Sequence, residues 1–228
     1  MCYNPSINSE TEQGESKMPC PYAAAGFCGE LPNEIRGSLC EICHIKRYAR
    51  GQCLRENYWA GSISMVLEGL CVQMETQESL QRARPVELGT VGTFFNLKEL
   101  YGVAEEYDID NYHDTLCFTT CTIGVFAVSE FHQLMNDCTS FREALFRHLV
   151  RVQMPEKTAF VSHVGFGDAE ESIRFIVKML MDKGIGYLTH EQIALLTGRS
   201  RQTVTTVMKH LQNAEPDLFT KVGELQQD

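Results

Sequence analysis

The chain has 228 residues, a formal net charge of −10 at pH 7 and 43% hydrophobic residues. That is apolar material for one large or two small cores, and the acidic balance argues against broad, nonspecific attraction to nucleic acid. No apolar run of about 18 residues exists to span a membrane. The first 19 residues lack the apolar stretch of a secretory signal, so a cytoplasmic protein without a membrane partner is expected. Ten cysteines in such a chain point to metal or redox chemistry rather than to disulfides.

In chain order, residues 1–19 are polar and read as a tail. Residues 33–46 carry Ile35, Leu39, Ile42 and Ile45 on one side and are expected to be helical. From about 47 to 128 the pattern changes to strand and turn. Ile63, Met65 and Leu67 alternate, Glu68-Gly69 can turn, and Leu70, Val72 and Met74 alternate again. Thr115 to Val128 is rich in Thr, Val, Ile, Phe and Cys and predicts paired strands, which makes this an antiparallel unit of short strands. Ser129 opens a short helix through about Met135. A longer helical stretch over 140–165 contains Pro155, which is expected to kink or interrupt it. Asp168 can cap a helix over 169–182, with Ile173, Ile176, Val177 and Leu180 on its apolar side.

The densest signal lies in Leu188 to Leu211. Thr189 and Gln192 form a capping-box pattern that starts a helix. Ile193, Leu195 and Leu196 supply its apolar side, and Gly198 ends it where the backbone needs positive φ. Ser200 is a good N-cap for a second helix, and Val204, Val207, Met208 and Leu211 give that helix a buried face. The polar residues Arg199, Ser200, Arg201, Gln202, Thr203, Thr205, Thr206 and Lys209 fall at its start or on its outer side. Arginine pairs with guanine, glutamine with adenine, and threonine with base edges or phosphate. The spacing is that of a helix-turn-helix, whose second helix enters the major groove of double-stranded DNA. Arg199, Arg201 and Lys209 outnumber Glu191 here, so the cationic patch is local.

The order of elements resembles the superfamily of the cyclic-AMP receptor protein and the fumarate–nitrate reduction regulator (CRP/FNR). Arg50-Gly51-Gln52, Ser64 to Gly69, Thr120 to Leu134 and the helix-turn-helix carry the resemblance, which covers roughly 30–211. It implies an α+β chain in four parts: a cysteine-containing segment 1–30, a cyclic-nucleotide-binding-like β-roll 31–138, a dimerisation helix 139–167 and a DNA-binding domain 168–228. It also implies a homodimer on a two-fold symmetric operator, working with RNA polymerase, and no enzyme activity. Arg199 to Thr203 and Thr206 match the family's DNA-contacting segment, with Gln202 where many members have glutamate. After Leu211 the family's β wing is short or missing. The alternative is an effector-binding or adaptor protein of the same fold with weak or no DNA binding.

The input is read from what the roll lacks and the N-terminus adds. Members that bind a cyclic nucleotide hold its phosphate with a Gly-Glu turn and a later Arg-Ser. The matching region here reads Val91-Gly-Thr-Phe-Phe-Asn96, with no arginine between Thr93 and Cys121. A cyclic nucleotide is therefore not expected, because an unpaired buried phosphate is costly. Thiols remain. Cys20 and Cys28 bound a glycine-containing segment, Cys40 and Cys43 are three apart on the expected helix, and Cys121 lies near the region that supplies a roll cysteine in the oxygen-sensing branch. These five are candidate ligands of an iron–sulfur cluster; a metal-free thiol switch is the other alternative. Cys71, Cys117 and Cys138 sit in apolar patterns and read as core packing.

Overall fold

The structure is a computed structural model that describes residues 22, 26–54, 61–77, 82–101, 111–185 and 188–216. Eight described strands form two four-stranded antiparallel sheets. These strands are β1 (His44–Tyr48), β2 (Cys53–Leu54), β3 (Ser62–Glu68), β4 (Cys71–Gln77), β5 (Arg82–Gly89), β6 (Phe94–Phe95), β7 (Asn111–Cys117) and β8 (Cys121–Ala127). The sheet orders are β1-β8-β3-β6 and β2-β7-β4-β5. Two short helices precede the roll, α1 (Gly26–Glu30) and α2 (Asn33–Glu41), and six follow it. These are α3 (Val128–Asp137), α4 (Thr139–His148), α5 (Met154–Phe166), α6 (Ala169–Asp182), α7 (His190–Thr197) and α8 (Arg201–Ala214).

The alternation of side chains builds three layers. On β8, Cys121, Ile123 and Val125 point between the sheets, with Val66, Phe95, Cys71 and Cys117. Residues of opposite parity, Ile63, Met65, Leu67 and Phe126, point outward into a cluster with Phe27, Leu39, Phe131 and Phe141. On the other sheet Val72, Met74 and Leu88 point outward into a third cluster with Phe160, Ile173, Ile176, Leu196, Val204 and Met208. The roll and the C-terminal helices therefore share one core.

One expectation needs correction. The helix expected over 33–46 ends at Glu41, and His44 to Tyr48 instead pair with Val125 to Cys121 of β8. The pull of that long-range ladder outweighs the local periodicity. The interruption expected at Pro155 is present: a π-helical turn, Leu149–Gln153, separates α4 from α5, and Pro155 follows it in the first turn of α5. The wing expectation concerns residues that lie mainly outside the described ones.

Candidate nucleic-acid interface and cysteine site

Local chemistry sets the helix-turn-helix. Thr189 accepts from the Gln192 amide, and Gln192 reaches back to the Thr189 amide at 3.0 Å, closing the capping box. Gly198 has φ +64°, which turns the chain, and Ser200 accepts from the Thr203 amide at 3.1 Å to start α8. Val204, Met208 and Leu211 are buried, so the opposite face of α8 meets solvent.

The eight polar residues at the start of α8 and on its outer side divide by what they touch. Ser200, Arg201, Gln202, Thr206 and Lys209 are exposed. Arg201 pairs loosely with Glu191 at 3.3 Å across open surface, a contact worth little in water. Thr203 is half-buried and shares a hydroxyl bond with Ser200 at 2.8 Å, so it belongs to the cap. Thr205 is half-buried, donates to the Arg201 carbonyl at 2.9 Å and lies 2.9 Å from His190 Nδ1, which ties α8 to α7. Arg199 turns back from the outer face: its Nη2 donates to the Gly167 carbonyl at 2.8 Å, at the end of α5. Its Nε is buried and has no hydrogen-bond partner among the described residues. Arg199 thus fixes the unit against the long helix.

The unit is also held against the roll. Phe118, in the turn between β7 and β8, is 2% exposed and packs in the helical core. Its carbonyl accepts from Gln192 Nε2 at 2.8 Å, and Gln192 Oε1 accepts from Arg50 at 3.3 Å. Sequence reasoning missed this contact because Phe118 and Gln192 are far apart in the chain and neither breaks a local pattern.

A second contact joins the roll to the long helix. Gln153, in the π-helical turn, accepts from the Phe94 amide at 3.0 Å and donates to the Phe94 carbonyl at 2.6 Å, as a neighbouring strand does. Gln153 also donates to buried Glu87 at 2.8 Å, and Lys157 pairs with the other Glu87 oxygen at 2.9 Å. With Thr90 and Thr93 these groups line a small cavity. Nothing in the sequence singled out Gln153 or Glu87.

The candidate cysteines fall in two places. Cys28, Cys40 and Cys43 line one small apolar cavity with Tyr22, Leu39 and Met65. Cys121 lies elsewhere, between the two sheets with Cys71 and Cys117. Cys20 lies outside the described residues. Among the described residues, no group of three or more Cys, His, Asp or Glu side chains is disposed to hold a metal ion. The Cys121 thiol donates to the Leu70 carbonyl at 3.2 Å and lies 3.4 Å from the Thr119 carbonyl, and the Cys71 thiol lies 3.8 Å from the Gly89 carbonyl. The neighbouring Cys121 sulfur, with burial added, pushes the Cys117 and Cys71 thiols up.

No protein-family model and no curated protein matches this sequence. Solved structures do match in fold. The c-di-GMP-responsive global regulator CLP of Xanthomonas campestris is 18% identical with a TM-score of 0.60, covering 80% of this chain and 93% of its own. A CRP-family transcriptional regulator of Thermus thermophilus is 21% identical with a TM-score of 0.56, covering 78% and 96%. CooA of Carboxydothermus hydrogenoformans, as a mutant, is 16% identical with a TM-score of 0.54, covering 78% and 79%. A two-sheet roll, a long helix and a C-terminal helix-turn-helix give this chain the fold of the CRP/FNR transcription regulators.

Proposed function

We propose that the protein is a sequence-specific DNA-binding transcription regulator with a cysteine-based redox input. The observation that carries it is the outer face of α8, where Arg201, Gln202, Thr206 and Lys209 stand exposed behind a capped, glycine-turned helix pair. These groups match the donors and acceptors of major-groove edges, and Lys209 suits a phosphate. An operator selected from random duplexes is the test substrate. On it, Arg201→Ala is expected to weaken binding by about 1–3 kcal/mol, read by fluorescence anisotropy at fixed salt. Failure to select any sequence would instead favour the adaptor reading.

The working form is a homodimer. On the long helix Phe146, Val150, Met154 and Val161 are exposed at four- and seven-residue spacing, which makes one apolar stripe. A second copy of the same helix covers such a stripe and sets two recognition helices about 34–36 Å apart, one DNA turn. Phe146→Glu is expected to shift the protein from dimer to monomer in sedimentation velocity and to reduce operator affinity with it. A variant that stays dimeric would remove this helix from the interface.

Thiols supply the input. Cys28, Cys40 and Cys43 are separated from Cys121 by the sheet β1-β8-β3-β6, so as placed these four do not fit one iron–sulfur cluster. Iron and acid-labile sulfide measured on protein prepared without oxygen separate a cluster from a metal-free switch. Glu87, buried and paired beside Thr90 and Thr93, opposes an anionic phosphate at the contact between roll and long helix and supports an input other than a cyclic nucleotide.

A further inference from the structure

The edge of the roll that ends at the DNA-reading unit is cationic. Residues 42–52 hold Lys46, Arg47 and Arg50 and no Asp or Glu, in a chain with 30 acidic and 20 basic side chains. All three cations are exposed. β1 pairs with β8, and among the described residues its other edge is open. Lys46 and Arg47 are consecutive, so they leave opposite faces of β1 and flank that open edge on both sides.

This strip leads to the helix pair. β1 runs along β8 toward Cys121, and Gly51, just past the end of β1, donates to the Cys117 carbonyl at 2.7 Å. Arg50 donates to Gln192 Oε1 at 3.3 Å, in the first turn of α7. In a helix-turn-helix the first helix crosses the DNA backbone while the second enters the groove. Arg50 therefore stands beside the helix that meets the backbone, and Arg47 and Lys46 follow it along the roll.

We propose that Arg50, Arg47 and Lys46 form a second DNA surface, which binds the phosphates flanking each half-site outside the bases that α8 reads. This rests on the reading of the protein as a DNA-binding regulator and extends the contact from the helix pair to the roll. Two guanidinium forks and one ammonium suit phosphate oxygens and carry no base information. At about 3.3 Å per residue the strip from Arg50 to Lys46 spans about 13 Å, which is roughly four base pairs at about 3.4 Å each. A charged edge strand also guards against pairing with another chain. That role accepts either sign of charge and has no use for the bond between Arg50 and α7. In a chain of net charge −10, a run of cations alone at this edge fits a polyanion instead.

The test uses the full chain and its selected operator in two duplexes. One ends at the outermost base pairs that α8 selects, and the other continues for ten pairs of arbitrary sequence on each side. Binding is read by fluorescence anisotropy across a salt series. The wild-type protein is expected to bind the longer duplex more tightly and with the steeper salt dependence, whatever the flanking sequence. The triple variant Lys46→Gln, Arg47→Gln, Arg50→Gln is expected to lose about one unit of salt slope on the longer duplex for each cation removed from each protomer. On the shorter duplex it should match the wild type. If the variant fails to fold, the wild-type comparison of the two duplexes decides. Equal wild-type binding to both duplexes would overturn the proposal. So would a variant that matches the wild type on both, which leaves the strip to an acidic protein partner, or one that loses as much on the shorter duplex, which confines Arg50 to its bond with α7. A chain that selects no operator overturns the regulator reading and this one together, whereas operator binding indifferent to the flanks overturns this one alone.

Discussion

Phe118→Ala is expected to cost about 3–5 kcal/mol of stability, the usual range for emptying a fully buried aromatic site. Phe118 is 2% exposed although it lies in a turn, and its ring packs with residues of the C-terminal helices. Turn residues normally face water, so this one exists for the contact. Two effects should separate in the measurement. Urea unfolding should report the lost packing. Hydrogen exchange over 190–197 should report loosening of the helix pair, because Gln192 holds the neighbouring carbonyl. Phe166→Ala is the control. Phe166 is 87% exposed, and its loss should change monomer stability by no more than about 0.5 kcal/mol. A cost below about 1 kcal/mol at Phe118 would mean that the helix pair is not held through this ring.

Gly92→Ala is expected to be comparably damaging, for a different reason. Gly92 has φ +94°, a conformation that strains any side chain, at about 1–3 kcal/mol. Its added Cβ would also stand 2.9 Å from the Phe27 amide nitrogen, and overpacking of this kind costs about 1–3 kcal/mol more. Gly26 faces it with φ +48°, and a Cβ there would meet the Val91 carbonyl at 2.7 Å. The two glycines let α1 lie against the turn that ends β5. His148 locks the same contact, with Nε2 3.0 Å from the Gly92 carbonyl and Nδ1 3.1 Å from Glu30. The damage should therefore appear at the N-terminus first. Cys28, 4% exposed, is expected to become alkylatable at temperatures below the global transition. Gly165→Ala is the contrast: nothing lies within 4 Å of its Cβ position, it is helical, and stability should hold or rise. A Cys28 that stays protected in Gly92→Ala would show that α1 does not depend on this approach.

The parts legible in the sequence were those decided by neighbours in the chain. Thr189, Gln192, Gly198 and Ser200 each act within a few residues, and all four cap or turn where the spacing predicts. Alternation in β3 and β4 worked because each strand has one face toward the roll interior. What was not legible was decided at long range. Ile45 continues a helical pattern, yet its backbone pairs with Gly124. Arg199 has the composition of a DNA contact, but the end of α5 supplies a carbonyl that takes its guanidinium. Cys71 and Cys117 read singly as small apolar residues. Both are buried between the sheets as that reading expects, and only the ladder shows that they lie opposite each other.

The shared core between roll and C-terminal helices sets a threshold for switching. Burying one phenylalanine is worth about 1.5–3 kcal/mol, and the Gln192 bond adds about 0.5–1.5 kcal/mol. These two contacts alone, about 2–4 kcal/mol, hold the released arrangement to roughly one molecule in thirty to one in a thousand, and Val72, Met74 and Leu88, which share the core, lower it further. The released arrangement is therefore rare, and any change that makes it dominant has to supply several kcal/mol.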